Sequence, residues 1–352
     1  MAAPRPMHPL VMPPLALTMG EPAGIGGEIA LKAWRHRAEG VPPFFVLDDP
    51  GRLAGLASAV GLDVPVQAVT TPAEALAAFP TALPVLPQSL TRPVVPGKPD
   101  PANAPAVAAA IATAIRLAQR GEAAGVVTNP IHKQAMYEGG FRFPGHTEYL
   151  ADLLAGEMAE GDREVMMLAC PGLRVVPVTI HVALAEAVRN LRRADIVAAG
   201  RVTARALAAD FGLAAPRLAV AALNPHAGEG GAMGREEIEI VAPAVAELAS
   251  MGIAVSGPHP ADTLFHPAAR ARYDAVLCMY HDQALIPLKT IDFDNGVNVT
   301  LGLPVVRTSP DHGTACELAG TGRASEASLI AALRTAGEIA ANRRRPARQS
   351  DA

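Results

Sequence analysis

Three of the ten histidines directly follow apolar segments that are predicted to be strands. His181, His226 and His281 lie 45 and 55 residues apart. Neutral imidazole binds Zn²⁺, Co²⁺, Mn²⁺ or Fe²⁺, and a three-histidine site leaves positions open for substrate oxygens, as a catalytic metal site does. A single histidine in such a place is more often structural. The spacing therefore predicts a metal site only if the three strand ends converge.

A turn and helix start near residue 145 offer a second kind of chemistry. Pro144-Gly145 marks a tight turn, and His146 and Thr147 begin an apolar helix. The free N–H groups and the dipole of a helix start favour an anion such as phosphate. The alternative is a cap by Thr147 with an exposed histidine.

Three polar side chains, each nine residues from the next, offer a third kind of chemistry. Lys289 and Arg307 suit phosphate or carboxylate, and Asn298 lies between them. Single charges are usually solvated, but the neighbours of these residues are apolar. We therefore expect part of this segment to be buried.

Two glycine-rich segments are candidates for nucleotide binding. His312, Gly313 and Thr314 precede a glycine-rich stretch at 317–322, which could hold an adenosine diphosphate. Neither this segment nor the loop at 20–26 has the GxGxxG spacing of a Rossmann fingerprint.

Asp262 is a candidate acid or base, or a group that orients a ligand histidine. Its alternative is a helix N-cap.

These residues must be positioned by an alternation of apolar strands and alanine-rich helices. Such a pattern is typical of a mainly parallel sheet covered on both faces, with chemistry at the carboxyl ends of the strands. The proline-rich stretch 85–105 is predicted to be a loop. Predicted strands are 15–18, 44–47, 124–128, 165–168, 174–179, 217–223 and 275–279; predicted helices are 26–38, 104–119, 193–211, 235–251 and 324–342.

Composition excludes several classes of protein. The chain has 352 residues and a net charge of −4, with 4% aromatic residues, which argues against nucleic-acid binding. Three isolated cysteines, expected to be buried, fit a reducing cytoplasm. Residues 1–14 lack the apolar core of a signal peptide, and no apolar stretch is long enough to span a membrane. We therefore expect a cytoplasmic protein.

Several long motifs in consistent order cover nearly the whole chain. Together they resemble the 4-hydroxythreonine-4-phosphate dehydrogenase family of pyridoxal phosphate biosynthesis. LNPHAGEGG, MYHDQ and GVNVTLGLP are long and specific. The matching stretches include LALTMGEPAGIG (15–26), VTNPIHK (127–133), FPGHTE (143–148), VTIH (178–181), LNPHAGEGG (223–231), MYHDQALIPLK (279–289), GVNVTLGLP (296–304) and DHGTA (311–315).

The resemblance implies an α/β architecture of two domains similar to isocitrate and isopropylmalate dehydrogenases, with a mainly parallel sheet and not a Rossmann fold. Residues 1–133 with 300–345 would form the first domain, 134–299 the second with the dimer interface, and 346–352 a disordered tail. It also implies a homodimer with a shared active site, in which His281 comes from the partner subunit.

The resemblance also assigns site residues. Metal ligands would be His181, His226 and His281; substrate contacts would be His146, Thr147, Lys289, Asn298 and Arg307; the nucleotide-side loop would be His312, Gly313 and Thr314. From the chemistry of their side chains, Lys289 and Asp262 are the candidate catalytic groups.

The implied reaction is oxidation of 4-phosphooxy-L-threonine at C3 with NAD or NADP and a divalent metal (Zn, Mg, Mn or Co). The β-keto acid formed would lose carbon dioxide to give 3-amino-2-oxopropyl phosphate. Alternatives are a related dehydrogenase of another phosphorylated hydroxy acid or a dihydrodiol acid, a phosphate acyltransferase of the same broad fold, and a non-catalytic binding protein.

Overall fold

The computed structural model describes residues 12–143, 145–158 and 163–345. The predicted tail at 346–352 and the first eleven residues of the predicted first domain lie outside these ranges. Among the described residues, no helix has both the length and the apolar character needed to cross a membrane.

A single sheet of twelve strands runs through the described part of the chain. In spatial order the strands are β3, β4, β2, β1, β5, β12, β11, β6, β7, β10, β8 and β9. Their bounds are β1 Leu15–Thr18, β2 Phe44–Asp48, β3 Val66–Ala68, β4 Leu83–Pro87, β5 Val126–Thr128, β6 Val165–Cys170, β7 Leu173–Pro177, β8 Arg217–Ala221, β9 Ala254–His259, β10 Ala275–Cys278, β11 Val297–Leu301 and β12 Arg307–Pro310.

The two sides of this sheet are parallel, as the apolar strands predicted. β11 interrupts them by pairing antiparallel with both β12 and β6, and β6 pairs antiparallel with β7. As a result β7, β10 and β8 are parallel to one another but run opposite to β5 and β12. The sheet is therefore mainly parallel with an antiparallel middle.

Helices cover both faces of the sheet. The helices are α1 Gly26–Arg35, α2 Pro50–Ala59, α3 Pro72–Ala78, α4 Ala104–Gln119, α5 Lys133–Glu138, α6 His146–Leu153, α7 Leu184–Asn190, α8 Arg193–Ala209, α9 Ala242–Ser250, α10 Pro267–Arg270, α11 His281–Ile291 and α12 Ala327–Arg343. Alternate residues of β1 show the two faces: Leu15 and Leu17 pack in one core with α1, α8 and α12, and Ala16 packs in another with α3 and α4.

Local sequence explains where the helices begin. At α2, Pro50 occupies the first turn and the Asp49 carboxylate accepts a hydrogen bond from the Arg52 N–H at 2.8 Å. This arrangement satisfies one of the free N–H groups of the first turn. Asp48 also pairs with the Arg52 side chain, so the β2–α2 connection is fixed.

Several expectations about the elements need correction. The stretch 85–105 is not entirely loop, because β4 extends to Pro87 and α4 begins at Ala104. The helix expected at 235–251 is a π-helical turn, Glu237–Val241, followed by α9. Cys170 and Cys278 are buried as expected, but Cys316 is only half-buried.

Candidate active site

A polar cavity of about 870 Å³ lies over the antiparallel middle of the sheet. Its wall includes Thr128 at the end of β5, Asn298 on β11 and Arg307 on β12. His181, which follows β7, lines the same cavity although β7 runs opposite to β5. Segments from both halves of the sheet thus meet over its centre, in addition to the strand ends at which the parallel pattern predicted chemistry. We call this space the polar cavity.

Arg307 is the buried cation of the polar cavity. Only 4% of the residue is exposed, and its Nη1 and Nη2 atoms donate to the Thr300 and Thr128 hydroxyls at 2.9 and 2.7 Å. Burial lowers the pKa of the Arg307 guanidinium to about 10, so it stays charged at neutral pH. Its Nε has no partner among the described residues, and no carboxylate there pairs with it. A buried charge left in this state favours an anionic ligand.

His146 begins α6 beside this cation, as the turn at Gly145 predicted. Burial, together with the charges of Arg307 and Lys133, lowers the pKa of His146 to about 3. Its imidazole is therefore neutral. Within the described ranges, His146 Nε2 and Asn298 Oδ1 are buried without a hydrogen-bond partner. Both atoms are available to a polar ligand.

Two other predicted substrate contacts behave differently. Lys289 lines the polar cavity, but its ammonium already pairs with the Asp311 carboxylate at 2.9 Å. Its charge is therefore balanced before any ligand binds. Thr147 belongs to the first turn of α6, and its side chain lies outside what the structure describes.

The three candidate metal ligands follow neighbouring strands. His181, His281 and His226 come after β7, β10 and β8, which are adjacent and parallel in the sheet. The His181 and His281 rings of the same chain lie 5.7 Å apart between centroids. Because these three strands are adjacent and parallel, the histidines that follow them come after the same edge of the sheet although they are distant in sequence. The idea that a partner subunit supplies His281 stays a prediction.

The surroundings of His181 and His281 fit a divalent metal. Burial lowers the pKa of His181, and the nearby charge of Lys133 lowers it further, so the ring is neutral as ligation requires. The His281 Nδ1 atom lies 2.7 Å from a carboxylate oxygen of Asp282, the kind of contact that orients a ligand imidazole. Within the described part of one chain, no group of three histidine, cysteine or carboxylate side chains is close enough to hold a metal ion.

Asp262 is not brought to the polar cavity. It is exposed in a short 3₁₀ turn, Ala261–Thr263, and is not among the residues that line the cavity. The alternative of a helix N-cap is wrong, because Pro260 occupies that position. Its acid–base role stays a prediction.

The loop after β12 separates the polar cavity from a second space. His312 and Gly313 line the polar cavity. The Thr314 carbonyl accepts a hydrogen bond from the Ile25 N–H at 3.1 Å, and a Cβ on Gly24 would lie 2.9 Å from that oxygen. Further along, Gly320 lines a cavity of about 560 Å³ with Gly24 and residues of α2 and the 90–96 segment. We call this second space the loop cavity.

Comparison with known proteins decides the family. The sequence model of the family described as pyridoxal phosphate biosynthetic protein PdxA matches residues 41–336. The chain belongs to the PdxA family. A 4-hydroxythreonine-4-phosphate dehydrogenase from Caulobacter vibrioides is 57% identical over 94% of this chain and 98% of its own length. The resemblance inferred from the motifs is confirmed.

Solved structures agree with this family assignment. The crystal structure of 4-hydroxythreonine-4-phosphate dehydrogenase from Klebsiella pneumoniae has a TM-score of 0.83 and 37% identity, covering 93% of this chain and 99% of that one. A terephthalate 1,2-cis-dihydrodiol dehydrogenase from Burkholderia xenovorans LB400 has a TM-score of 0.62 and 30% identity, covering 92% and 98%. The mixed α/β fold with a large, mainly parallel sheet is thus that of PdxA structures.

One cation of this PdxA-family site was missed by the sequence analysis. Lys133 begins α5 and lines the polar cavity. Its ammonium has no hydrogen-bond or ion-pair partner within the described ranges, yet its charge reaches both His146 and His181. The available signal was its position in the VTNPIHK motif, just after a strand that ends in Thr128.

Proposed function

We propose that the chain oxidises 4-phosphooxy-L-threonine at C3 with NAD⁺ in pyridoxal phosphate biosynthesis. The observation that carries this proposal is the unneutralised Arg307 guanidinium in a cavity that also presents neutral histidine and amide groups. Membership of the PdxA family supports this activity, as does the similar Caulobacter vibrioides protein, which is named 4-hydroxythreonine-4-phosphate dehydrogenase.

Arg307 and Lys133 are the two cations of the cavity for which no carboxylate partner is found in the described ranges. We assign them to the phosphate and carboxylate of the substrate, with His146, Thr147 and Asn298 fixing orientation by hydrogen bonds. Lys289 would reach the substrate only by loosening its pair with Asp311. Lys289 stays the proposed group for proton transfer because it lines the cavity.

His181, His226 and His281 would hold a divalent metal such as Zn, Mg, Mn or Co. When bound, such an ion supplies Lewis acidity toward the substrate's hydroxyl and carbonyl oxygens. The neutral state of His181 supports ligation, and a neighbouring copy of the chain is the proposed source of the third ligand.

A bound dinucleotide, NAD or NADP, would supply the acceptor for the C3 hydride, with the hydroxyl proton released to solvent or a base. We place it along the loop that contains His312, Gly313 and Thr314 and in the loop cavity beyond. This loop lines both cavities, so a ligand held there could extend from the reacting carbon to an adenosine site. The resulting β-keto acid loses carbon dioxide to leave 3-amino-2-oxopropyl phosphate.

At the level of the whole molecule we propose a cytoplasmic homodimer with the two-domain architecture of isocitrate dehydrogenases. Strands β1 to β5 and β12 are neighbours in the sheet, which supports a first domain of 1–133 with 300–345 and a second of 134–299. Apolar side chains near His181 and on or after α11 support a dimer interface because more than half of each is exposed: Val182, Leu184, Ile286 and Phe293.

A substrate panel tests the proposal against its rivals. The purified chain would be given NAD⁺, a divalent metal and, in turn, 4-phosphooxy-L-threonine, phosphorylated sugar acids and the cis-dihydrodiol of terephthalate; an acyl phosphate with coenzyme A tests acyl transfer. We expect NADH from the first substrate at the highest kcat/KM. Preference for the dihydrodiol, the substrate named for one structural neighbour, would replace the proposal, as would acyl transfer without NAD⁺.

A further inference from the structure

The segment that carries His226 has an unusual backbone. Between Pro225 and Gly231 the chain winds left-handed, with positive φ at five successive residues: His226 (52°), Ala227 (52°), Gly228 (76°), Glu229 (41°) and Gly230 (62°). L-residues disfavour this conformation because Cβ approaches the following carbonyl. Three of the five are not glycine, so the surrounding structure must hold the turn in place. We call residues 226–230 the left-handed turn.

A buried carboxylate lies against this turn. Glu237 is 3% exposed, and its Oε1 accepts hydrogen bonds from the Leu223 and Asn224 N–H groups, both at 2.8 Å. Its Oε2 accepts a third from Asn224 Nδ2 at 3.0 Å. These donors belong to Leu223 and Asn224, which only Pro225 separates from the turn. No ion pair to Glu237 is present in the described ranges, so its partners are neutral donors of this one segment.

The turn itself packs directly on the same carboxylate. A Cβ on Gly228 would lie 2.6 Å from Glu237 Oε2, so a larger residue there would require the carboxylate or the turn to move. Gly228 therefore supplies both the left-handed φ and the close approach. Glu237 in turn begins the π-helical turn that continues into α9. The carboxylate thus connects the left-handed turn to a regular helix.

We propose that Glu237 is a positioning residue for His226. Its carboxylate fixes the chain at residues 223 and 224 and supports the left-handed turn at Gly228, so that the imidazole is held where it can bind the metal. The inference rests on the proposed function in one respect, the assignment of His226 as a metal ligand. Glu237 contacts neither substrate nor metal in this role.

Two variants at position 237 and one control test the proposal. Glu237→Gln keeps the shape and one acceptor oxygen but places an amide NH₂ against Asn224 Nδ2, itself a donor. Glu237→Ala removes all three hydrogen bonds. Glu239→Gln is the control, because Glu239 lies two residues further along the chain but is exposed and pairs with Arg235 at 2.6 Å.

The first readout is the Kd for Co²⁺ alone, measured by calorimetry on the full-length protein. Loss of groups that orient a metal ligand typically weakens binding about 10–100-fold. We expect Glu237→Gln to fall in this range, Glu237→Ala to be weaker still, and the control to match the parent protein. The second readout is amide hydrogen exchange at 226–231, which should accelerate in both variants at 237.

The outcomes separate this proposal from the metal assignment. If His226→Ala binds Co²⁺ like the parent protein, the assignment of His226 fails, whatever the variants at 237 do. If His226→Ala loses Co²⁺ but Glu237→Gln, folded by circular dichroism, keeps both parental affinity and parental exchange, Glu237 is not a positioning residue. The proposal would also fail if the variants at 237 bind Co²⁺ more weakly only to the extent that their Tm falls. In that case amide exchange would accelerate equally throughout the protein and not mainly at 226–231.

Discussion

At the scale of single residues, the site is defined by charges that lack partners. Arg307 is held by two threonine hydroxyls in the absence of a carboxylate, whereas Lys289 is paired with Asp311. The sequence predicted both as anion contacts and could not distinguish them, because Asp311 is distant from Lys289 along the chain. Lys133 was missed because its neighbours in sequence do not show that it lines the same cavity as His146 and Arg307.

Arg307→Lys should lower kcat/KM for the phosphorylated substrate. The variant keeps a positive charge but cannot donate to Thr128 and Thr300 while also reaching a ligand. Loss of a hydrogen bond to a charged group is worth about 1.5–3 kcal/mol, so we expect kcat/KM to fall about 10–100-fold. Steady-state kinetics with 4-hydroxy-L-threonine, which lacks the phosphate, provide the comparison. An equal fall with both substrates would argue against phosphate contact.

Lys133→Met should raise KM by about tenfold, because one charge-assisted hydrogen bond to the substrate is lost. Lys133→Arg is the matched variant and should recover most of the loss, since it retains the cation. Isothermal titration with inorganic phosphate gives a readout independent of turnover. Parental phosphate affinity and KM in Lys133→Met would show that this cation does not contact the ligand.

His146 should make the folded state sensitive to acid. Its pKa in the folded chain is about 3, below the ordinary value of 6.5. Between these values the unfolded chain binds a proton that the folded chain does not, so stability falls as pH falls through this window. We expect His146→Gln to lose less stability than the parent protein between pH 7.5 and 5 in urea unfolding. Equal losses would mean that His146 is not held neutral.

At the scale of elements, the strong periodic segments were predictable and the site-forming ones were not. β1 and α4 begin and end where their apolar and alanine-rich patterns predicted. β11 and β12 were missed because neither has the continuous apolar pattern of a buried strand. β11 alternates apolar residues with Asn298 and Thr300, and β12 begins with three polar residues, of which Arg307 and Ser309 line the polar cavity. The left-handed turn has no local sequence signal beyond its glycines, because its conformation depends on Glu237.

The start of α1 illustrates how closely these elements pack. A Cβ on Gly26 would lie 2.7 Å from the Met19 carbonyl oxygen, whereas a Cβ on Gly55, inside α2, would meet nothing within 4 Å. We expect Gly26→Ala to reduce the free energy of unfolding by about 1–3 kcal/mol and Gly55→Ala to increase it by up to about 1 kcal/mol. Urea unfolding measures both. If the free energy of unfolding changed in the same direction in both variants, the difference in packing between the two glycines would be contradicted.

At the scale of the whole molecule, the exposed apolar side chains beside His181 and along α11 predict self-association. Ile286→Asp should shift a dimer toward monomer in sedimentation velocity and reduce activity, since a charge there opposes burial. Met251→Asp is the control, an exposed apolar residue that follows α9 and does not line the polar cavity. An unchanged sedimentation coefficient in Ile286→Asp would place the interface elsewhere.

Metal-dependent oxidation of a phosphorylated hydroxy acid can be tested in one coupled assay. The purified chain would be mixed with 4-phosphooxy-L-threonine and NAD⁺, and NADH absorbance and released carbon dioxide would be followed with and without a chelator. We predict one carbon dioxide for each NADH, loss of both with the chelator, and recovery on adding excess Zn²⁺ or Co²⁺. NADH formation that persists in the chelator would rule out a required metal, and no NADH from protein shown to contain the metal would rule out this substrate.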